Sequence, residues 1–155
     1  KRADDVDTWR TYAAYCYYGN NSGYGGAYGA LYNWEAVASG RLCPDGWKVP
    51  AEITWKDLVN SLGGESSAGG PLKETGNVFW TTQSSGTSNS TAFSARPGGR
   101  RDVGSYSYMG QSGYWWSSTT ATGYIYYLTL NEGDGARIVR SFSWYEGFSV
   151  RCIMK

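Results

Sequence analysis

Between Ala51 and Leu62 the apolar residues Trp55, Leu58, Val59 and Leu62 recur at i, i+3, i+4 and i+7. That spacing lays one stripe along one face of a helix. Gly63 and Gly64 follow at once and stop it. The pattern predicts an amphipathic helix whose stripe packs into a core. A shorter helix is predicted from Ala30 to Val37, ending near Gly40. After Ala92 the periodicity becomes strand-like, with runs at Phe93 to Arg96 (closed by Pro97-Gly98-Gly99), Tyr106 to Met109 and Tyr114 to Ser118. Tyr124 to Leu130 is dense in aromatic and β-branched residues and is the strongest strand signal. Asn131-Glu132-Gly133-Asp134-Gly135 then turns the chain and Ala136 to Phe142 returns it, as in a hairpin. Phe148, Val150 and Cys152 alternate with Ser149 and Arg151, the pattern of a last strand with one buried face. Two helices followed by an irregular antiparallel sheet define an α+β fold.

The remaining segments are less regular. Residues 1–18 read as extended, with Trp9, Tyr12, Tyr15, Tyr17 and Tyr18. Residues 19–26 have the composition of a loop, and Pro44-Asp45-Gly46 marks a turn. Residues 64–91 are rich in Gly, Ser, Thr and Asn and predict a long loop layer with one helical turn near Leu72-Lys73-Glu74. Ordered loops of that length need a few large residues to pack them, and Phe79 and Trp80 are the candidates.

The 155 residues fit one domain, residues 1–155. A net charge of +1 and the lack of any Lys/Arg run argue against nucleic acid as a partner, because phosphate binding needs clustered cations. No apolar stretch is long enough to span a membrane. The start at Lys1 reads as the edge of a piece cut from a longer protein. There is no His, which removes the commonest general base and metal ligand. The chain is therefore expected not to be an enzyme and to need no cofactor. The odd count of three Cys leaves at least one unpaired, and no CxxC spacing suggests zinc. Glu132 and Asp134 fall close together in the turn, but calcium needs six or more oxygens, and a solvated turn explains them. The glycines between Gly23 and Gly29 lack the strand–loop–helix setting and the Gly-Lys-Ser/Thr of a phosphate loop.

The distinctive numbers are 14 Tyr and 8 Trp against 4 Phe. Tyr and Trp carry an apolar body and a polar tip, which suits surfaces that touch ligands. Mixed with Ser, Gly, Asn and Arg, they resemble the composition of antibody paratopes.

Several ordered blocks are similar to a known family. They are Gly29-Ala30-Leu31-Tyr32-Asn33-Trp34, Leu42-Cys43-Pro44-Asp45-Gly46-Trp47-Lys48-Val49-Pro50, Trp55 through Gly64, and Leu72-Lys73-Glu74-Thr75-Gly76. Phe93 through Arg100, Gly113-Tyr114-Trp115-Trp116-Ser117-Ser118 and Gly147-Phe148-Ser149-Val150-Arg151-Cys152 complete the series. Together they resemble the Fibrobacter succinogenes major paralogous domain, found in Bacteroidetes-type surface proteins and lipoproteins. The resemblance implies a C-type lectin-like fold of the branch shared with formylglycine-generating enzymes. It also implies kinship with the variable proteins of diversity-generating retroelements, whose C-terminal region displays rewritten ligand contacts. The calcium-dependent sugar triplets of true C-type lectins are absent here. Cys43 and Cys152 sit in blocks that look structural in the family, which makes them the expected disulfide and leaves Cys16 free and buried.

The blocks at Tyr114–Ser118 and Gly147–Cys152 look like fixed flanks, and residues 119–146 between them become the candidate variable region. Leu128 and Leu130 are expected to face the core, which turns Ile125, Tyr127 and Thr129 outward; a bulge would expose Tyr126 as well. The faces of the return strand stay open. Trp144 and Tyr145 are expected at the rim. The candidate ligand contacts are Ile125, Tyr126, Tyr127, Thr129, Asn131, Arg137, Val139, Arg140, Ser141, Ser143, Trp144 and Tyr145. The expected function is adhesion at the cell surface or as a secreted protein, binding a protein or glycan on another cell or host surface. The alternatives are a divergent cysteine-dependent enzyme of the formylglycine-generating type, and a structural module of a pilus or envelope protein.

Overall fold

The computed structural model describes residues 1–155. Its architecture is mixed α+β, with few helices and small antiparallel sheets. Helix α1 (Val6–Thr11) replaces the extended start expected from the aromatics. Asp5 caps it, accepting from the Thr8 N–H at 2.7 Å, and Trp9 is buried on its inner face. The Asp cap outweighs the strand preference of the flanking Tyr residues. The expected loop at 19–26 is also structured. Single 3-10 turns at Tyr18–Asn20 and Ser22–Tyr24 lead into α2 (Gly25–Tyr28).

Helix α3 (Trp34–Ala38) starts at Asn33, whose side chain accepts from the Ala36 N–H at 3.1 Å. The same side chain accepts from Ala14 N–H at 2.9 Å and donates to the carbonyls of Trp9 and Tyr12. One buried amide thus satisfies the start of α3 and ties it to the end of α1. Helix α4 (Glu52–Ser61) is the predicted amphipathic helix: Trp55 and Val59 are buried, and Leu58 and Leu62 pack beside them. Helix α5 is the single turn Gly69–Leu72.

Three two-residue or four-residue ribbons brace the chain. Strand β1 (Tyr15–Cys16) pairs with β2 (Leu31–Tyr32), β3 (Trp47–Lys48) with β9 (Ile153–Met154), and β4 (Gly98–Arg101) with β5 (Tyr106–Met109). The central sheet is β6 (Gly113–Ala121), β7 (Tyr124–Leu130) and β8 (Ala136–Ser141), antiparallel in that order. Two expected strands are displaced. Phe93–Arg96 is not a strand, because Ser94 takes φ 53° and bends the chain; the strand begins at Gly98. Residues 148–152 do not form one continuous strand either. Phe148 bridges Tyr32 while Ser149 bridges Trp115, so neighbouring residues bond to different partners.

The central sheet is covered on both faces. Trp115, Leu128 and Leu130 join Trp55, Leu72 and Trp80 on the α4 side. Tyr114, Trp116, Ile125 and Tyr127 join Trp34, Val37 and Phe148 on the α3 side. A strand buried on both faces loses the apolar/polar alternation that marks a half-exposed one. Trp116 is fully buried and its indole N–H donates to the Tyr32 carbonyl at 2.7 Å. Within the long 64–91 layer, Trp80 supplies the expected packing and donates to the Ala95 carbonyl at 2.9 Å.

Lys73 closes that layer onto the β7–β8 turn. It is completely buried, and its ammonium donates to the carbonyls of Glu132 (3.0 Å) and Gly133 and to Ser84 Oγ (3.3 Å). The ring of Trp80 lies 4.8 Å from the same nitrogen. Burial pushes the Lys73 pKa below its usual value, against the attraction of Asp134 and Glu132. Asp134 itself accepts from Ser84. The approach is so close that a Cβ on Gly69 would lie 2.6 Å from the Gly135 carbonyl oxygen, so only glycine fits there. Cys43 and Cys152 are joined in a disulfide, with Cα atoms 5.8 Å apart, and Cys16 is free and buried. No helix is long and apolar enough to cross a membrane.

Candidate functional site

The register of β7 and β8 divides the predicted contacts into separate places. Ile125 pairs with Ser141, Tyr126 with Arg140, Tyr127 with Val139 and Thr129 with Arg137. Paired residues in an antiparallel ladder share a face. Ile125 and Tyr127 point to the α3 side, where both are buried and Val139 packs against them. The outward orientation expected of Ile125 and Tyr127 is therefore corrected, because the sheet has a second cover. Burial pushes the Tyr127 phenol up to about 12, with Glu146 adding to the effect.

Thr129, Asn131 and Arg137 converge at the turn end of the hairpin. With Glu65, Ser66 and Gly135 they line a wholly polar cleft of about 400 Å³. At the opposite end, beyond Ser141, the chain turns outward. Ser141 donates to the Glu146 carboxylate and its oxygen accepts from the Ser143 N–H at 3.0 Å. Glu146 is also 3.4 Å from Arg100, and burial raises its pKa above the usual carboxylate value. Ser141 and half-buried Ser143 thus shape the 142–146 loop rather than extend from it.

That loop carries the exposed aromatics. Phe142 is 70% exposed, Trp144 37% and Tyr145 39%. Each has a fixed support. The Phe142 ring lies 4.4 Å from that of Tyr124, over which the Arg140 guanidinium sits at 5.1 Å. Trp144 meets buried Trp34 edge-on at 5.9 Å. The Tyr145 carbonyl accepts from the indole of buried Trp9 at 2.7 Å, and Arg10 stacks on the Tyr145 ring at 4.6 Å. A Cβ on Gly147 would come within 2.7 Å of the Trp9 ring, so the loop closes tightly against α1. The result is an aromatic ledge: the Tyr145 carbonyl and the Trp144 ring are held by buried Trp9 and Trp34, and the Phe142 ring rests on half-buried Tyr124.

The sequence matches a known family model, described as the Fibrobacter succinogenes major domain, over residues 2–154. The chain belongs to the Fibrobacter succinogenes major domain family. The match spans all the ordered blocks quoted above, from the Tyr32-Asn33-Trp34 corner to the Cys152 disulfide. Comparison with curated proteins and with solved structures yields no match.

In this member of the Fibrobacter major domain family, Trp144 and Tyr145 stand on the ledge and Arg140 stands over Tyr124 beside Phe142, whereas Tyr126, across the ladder from Arg140, faces the α4 side of the sheet near Lys56. Thr129, Asn131 and Arg137 stand at the far cleft, and Ile125, Tyr127 and Val139 belong to the core. The two sets lie at opposite ends of the hairpin and do not form one site. Phe142 and Tyr124 were not among the predicted contacts. The signal for Phe142 lies in Ser141-Phe142-Ser143-Trp144-Tyr145, where small polar and large aromatic residues alternate just past a strand end. No group of three or more His, Cys, Asp or Glu side chains gathers to hold a metal ion. The one free thiol, Cys16, is buried, and desolvation raises its pKa, the opposite of what a nucleophilic cysteine needs.

Proposed function

We propose that this domain binds a ligand on another cell or host surface, acting as an adhesion module of a cell-surface or secreted protein. The contacts are Tyr124, Arg140, Phe142, Trp144 and Tyr145. The carrying observation is that Phe142, Trp144 and Tyr145 are exposed within four residues while the loop is fixed through Trp9 and Trp34. Rigid aromatic rings offer large contact area with little entropy left to lose on binding. A non-enzymatic role is supported by the chemistry of the thiols: two are joined in a disulfide and the third is buried.

The scaffold is read as C-type lectin-like, an inference supported by family membership and by the ribbon β3–β9, which ties the beginning of the α4 block to the end of the chain. On this reading residues 119–146 are the segment diversified by a retroelement. The test is genomic: a nearby template repeat differing from this segment mainly at template adenines, beside a reverse transcriptase gene, supports diversification, and their absence removes it. The adhesion reading itself is tested by replacing the ledge residues with Ala. Each of Phe142→Ala, Trp144→Ala and Tyr145→Ala is expected to weaken binding by about 1–3 kcal/mol with the fold intact. Unchanged binding in all three removes the ledge from the site.

A further inference from the structure

The largest cleft in the molecule lies away from the ledge, along the edge of β6 that does not pair with β7. It has a volume of about 480 Å³ and is lined by α2, the segment after it, Ser94, Arg96, Trp115 and residues 149–152. It shares no residue with the ledge. We propose that this cleft binds a small carboxylate-bearing ligand of about the size of a sugar, with Arg151 as its charge partner.

The lining contains two arginines and no acidic residue. Their situations differ. Arg96 is committed: it forms an ion pair with Glu74, donates to the Ala27 carbonyl at 2.7 Å and stacks on Phe79 at 3.9 Å. Arg151 is exposed and has no ion-pair partner. One of its amino groups donates to the Phe93 carbonyl, and its guanidinium stacks on the Phe93 ring at 4.4 Å. The fork is thereby held in place while its remaining N–H groups have no protein acceptor. A planar guanidinium fork matches a carboxylate in bidentate fashion.

Three residues of the same lining, Tyr28, Tyr32 and Ser149, carry hydroxyls, and their hydrogen bonds within the protein are made by backbone groups alone. Both phenols are protonated donors at neutral pH, as any phenol is, and burial shifts them further from ionising. A lining that holds an unpaired cation and free hydroxyl donors but no carboxylate favours an anion over a neutral or cationic ligand. The volume falls within the roughly 300–1,000 Å³ typical of small-molecule sites, and the Tyr28, Tyr32 and Trp115 rings supply apolar wall.

The experiment is a calorimetric titration of the native domain with glucuronate, glucose and sulfate, followed by Arg151→Gln and Tyr28→Phe. Saturable binding of glucuronate is expected, with glucose binding at least tenfold more weakly. Arg151→Gln should lose binding at least tenfold. Tyr28→Phe, which removes one hydroxyl and keeps the ring, should lose it several-fold without changing the melting temperature. Three results each overturn the proposal: no saturable glucuronate binding, glucose binding as tightly, or Arg151→Gln binding as the native domain does; Tyr28→Phe binding as the native domain does overturns the part given to that hydroxyl. Sulfate displacing glucuronate at equal or lower concentration overturns the assignment to carboxylate. Because the ledge is elsewhere, Phe142→Ala and Trp144→Ala should leave glucuronate binding unchanged, so failure of this site and failure of the adhesion surface are read separately.

Discussion

Lys73→Met offers a sharp test of how the candidate hairpin is held. Met keeps most of the apolar stem and removes the ammonium that lies 4.8 Å from the Trp80 ring. Two carbonyls of the β7–β8 turn, Glu132 and Gly133, and the Ser84 hydroxyl then lose their donor. A hydrogen bond to a charged group contributes about 1.5–3 kcal/mol net. Against this stands the desolvation of a completely buried ammonium, a cost of several kcal/mol that Met does not carry. The Trp80 ring and the nearby Asp134 carboxylate offset part of that cost in the native protein. Three bonds at about 1.5–3 kcal/mol each, set against several kcal/mol of desolvation, leave a loss of about 2–3 kcal/mol in the variant, which for a chain of this length lowers the melting temperature by about 5–10 °C. Thermal unfolding by circular dichroism measures it, and amide exchange at residues 131–135 reports whether the loss is local. A variant as stable as the native domain, with the turn equally protected, would refute the reasoning: desolvation would then outweigh the bonds.

Three further outcomes are expected. The Cys43–Cys152 disulfide closes a separation of 109 residues, so replacing both with Ser should cost about 4–5 kcal/mol by loop entropy, read as a shift in the denaturant midpoint. Burial raises the pKa of Tyr28, Tyr32, Tyr106, Tyr114 and Tyr127, so their contribution to stability is complete below pH 10.0 and is lost as pH climbs through the folded values, about 12 for Tyr127. Lys73 acts oppositely, its lowered pKa adding stability as pH rises toward 10.5, whereas Cys16, also raised by burial, acts with the tyrosines. The tyrosinate absorbance of these five phenols should therefore appear together with loss of the circular dichroism signal; ionisation of all 14 tyrosines in a chain that stays folded would contradict this. Finally, Trp116→Ala should destabilise by about 3–5 kcal/mol, since a fully buried indole and its bond to Tyr32 are removed, and a chemical denaturation curve checks it.

How much of this was legible beforehand differs by element. The α4 stripe was readable because a helix with one buried face keeps its period, and Trp55 and Val59 are buried where the spacing put them. The hairpin was readable because its turn residues are flanked by strong strand formers. The facing of β7 was not, since a two-sided cover erases the alternation that would have placed Ile125 and Tyr127. Helix α1 was hidden by aromatic residues, although Asp5 marked its cap. The Cys43–Cys152 pairing followed from family resemblance and not from spacing, because a separation of 109 residues says nothing about proximity. Trp144 and Tyr145 were legible as exposed residues, whereas the separation of the Thr129–Asn131–Arg137 cleft from the 142–146 loop depends on a register that only the folded hairpin reveals.

The central claim is that recognition happens at the ledge. It is tested most directly by comparing three forms of the domain on a glycan array and on intact host surfaces: native, Phe142→Ala/Trp144→Ala/Tyr145→Ala, and Thr129→Ala/Asn131→Ala/Arg137→Ala. The account predicts saturable binding by the native form, its loss in the ledge variant with an unchanged melting temperature, and its retention in the cleft variant. Binding that survives in the ledge variant, or that vanishes only in the cleft variant, contradicts it.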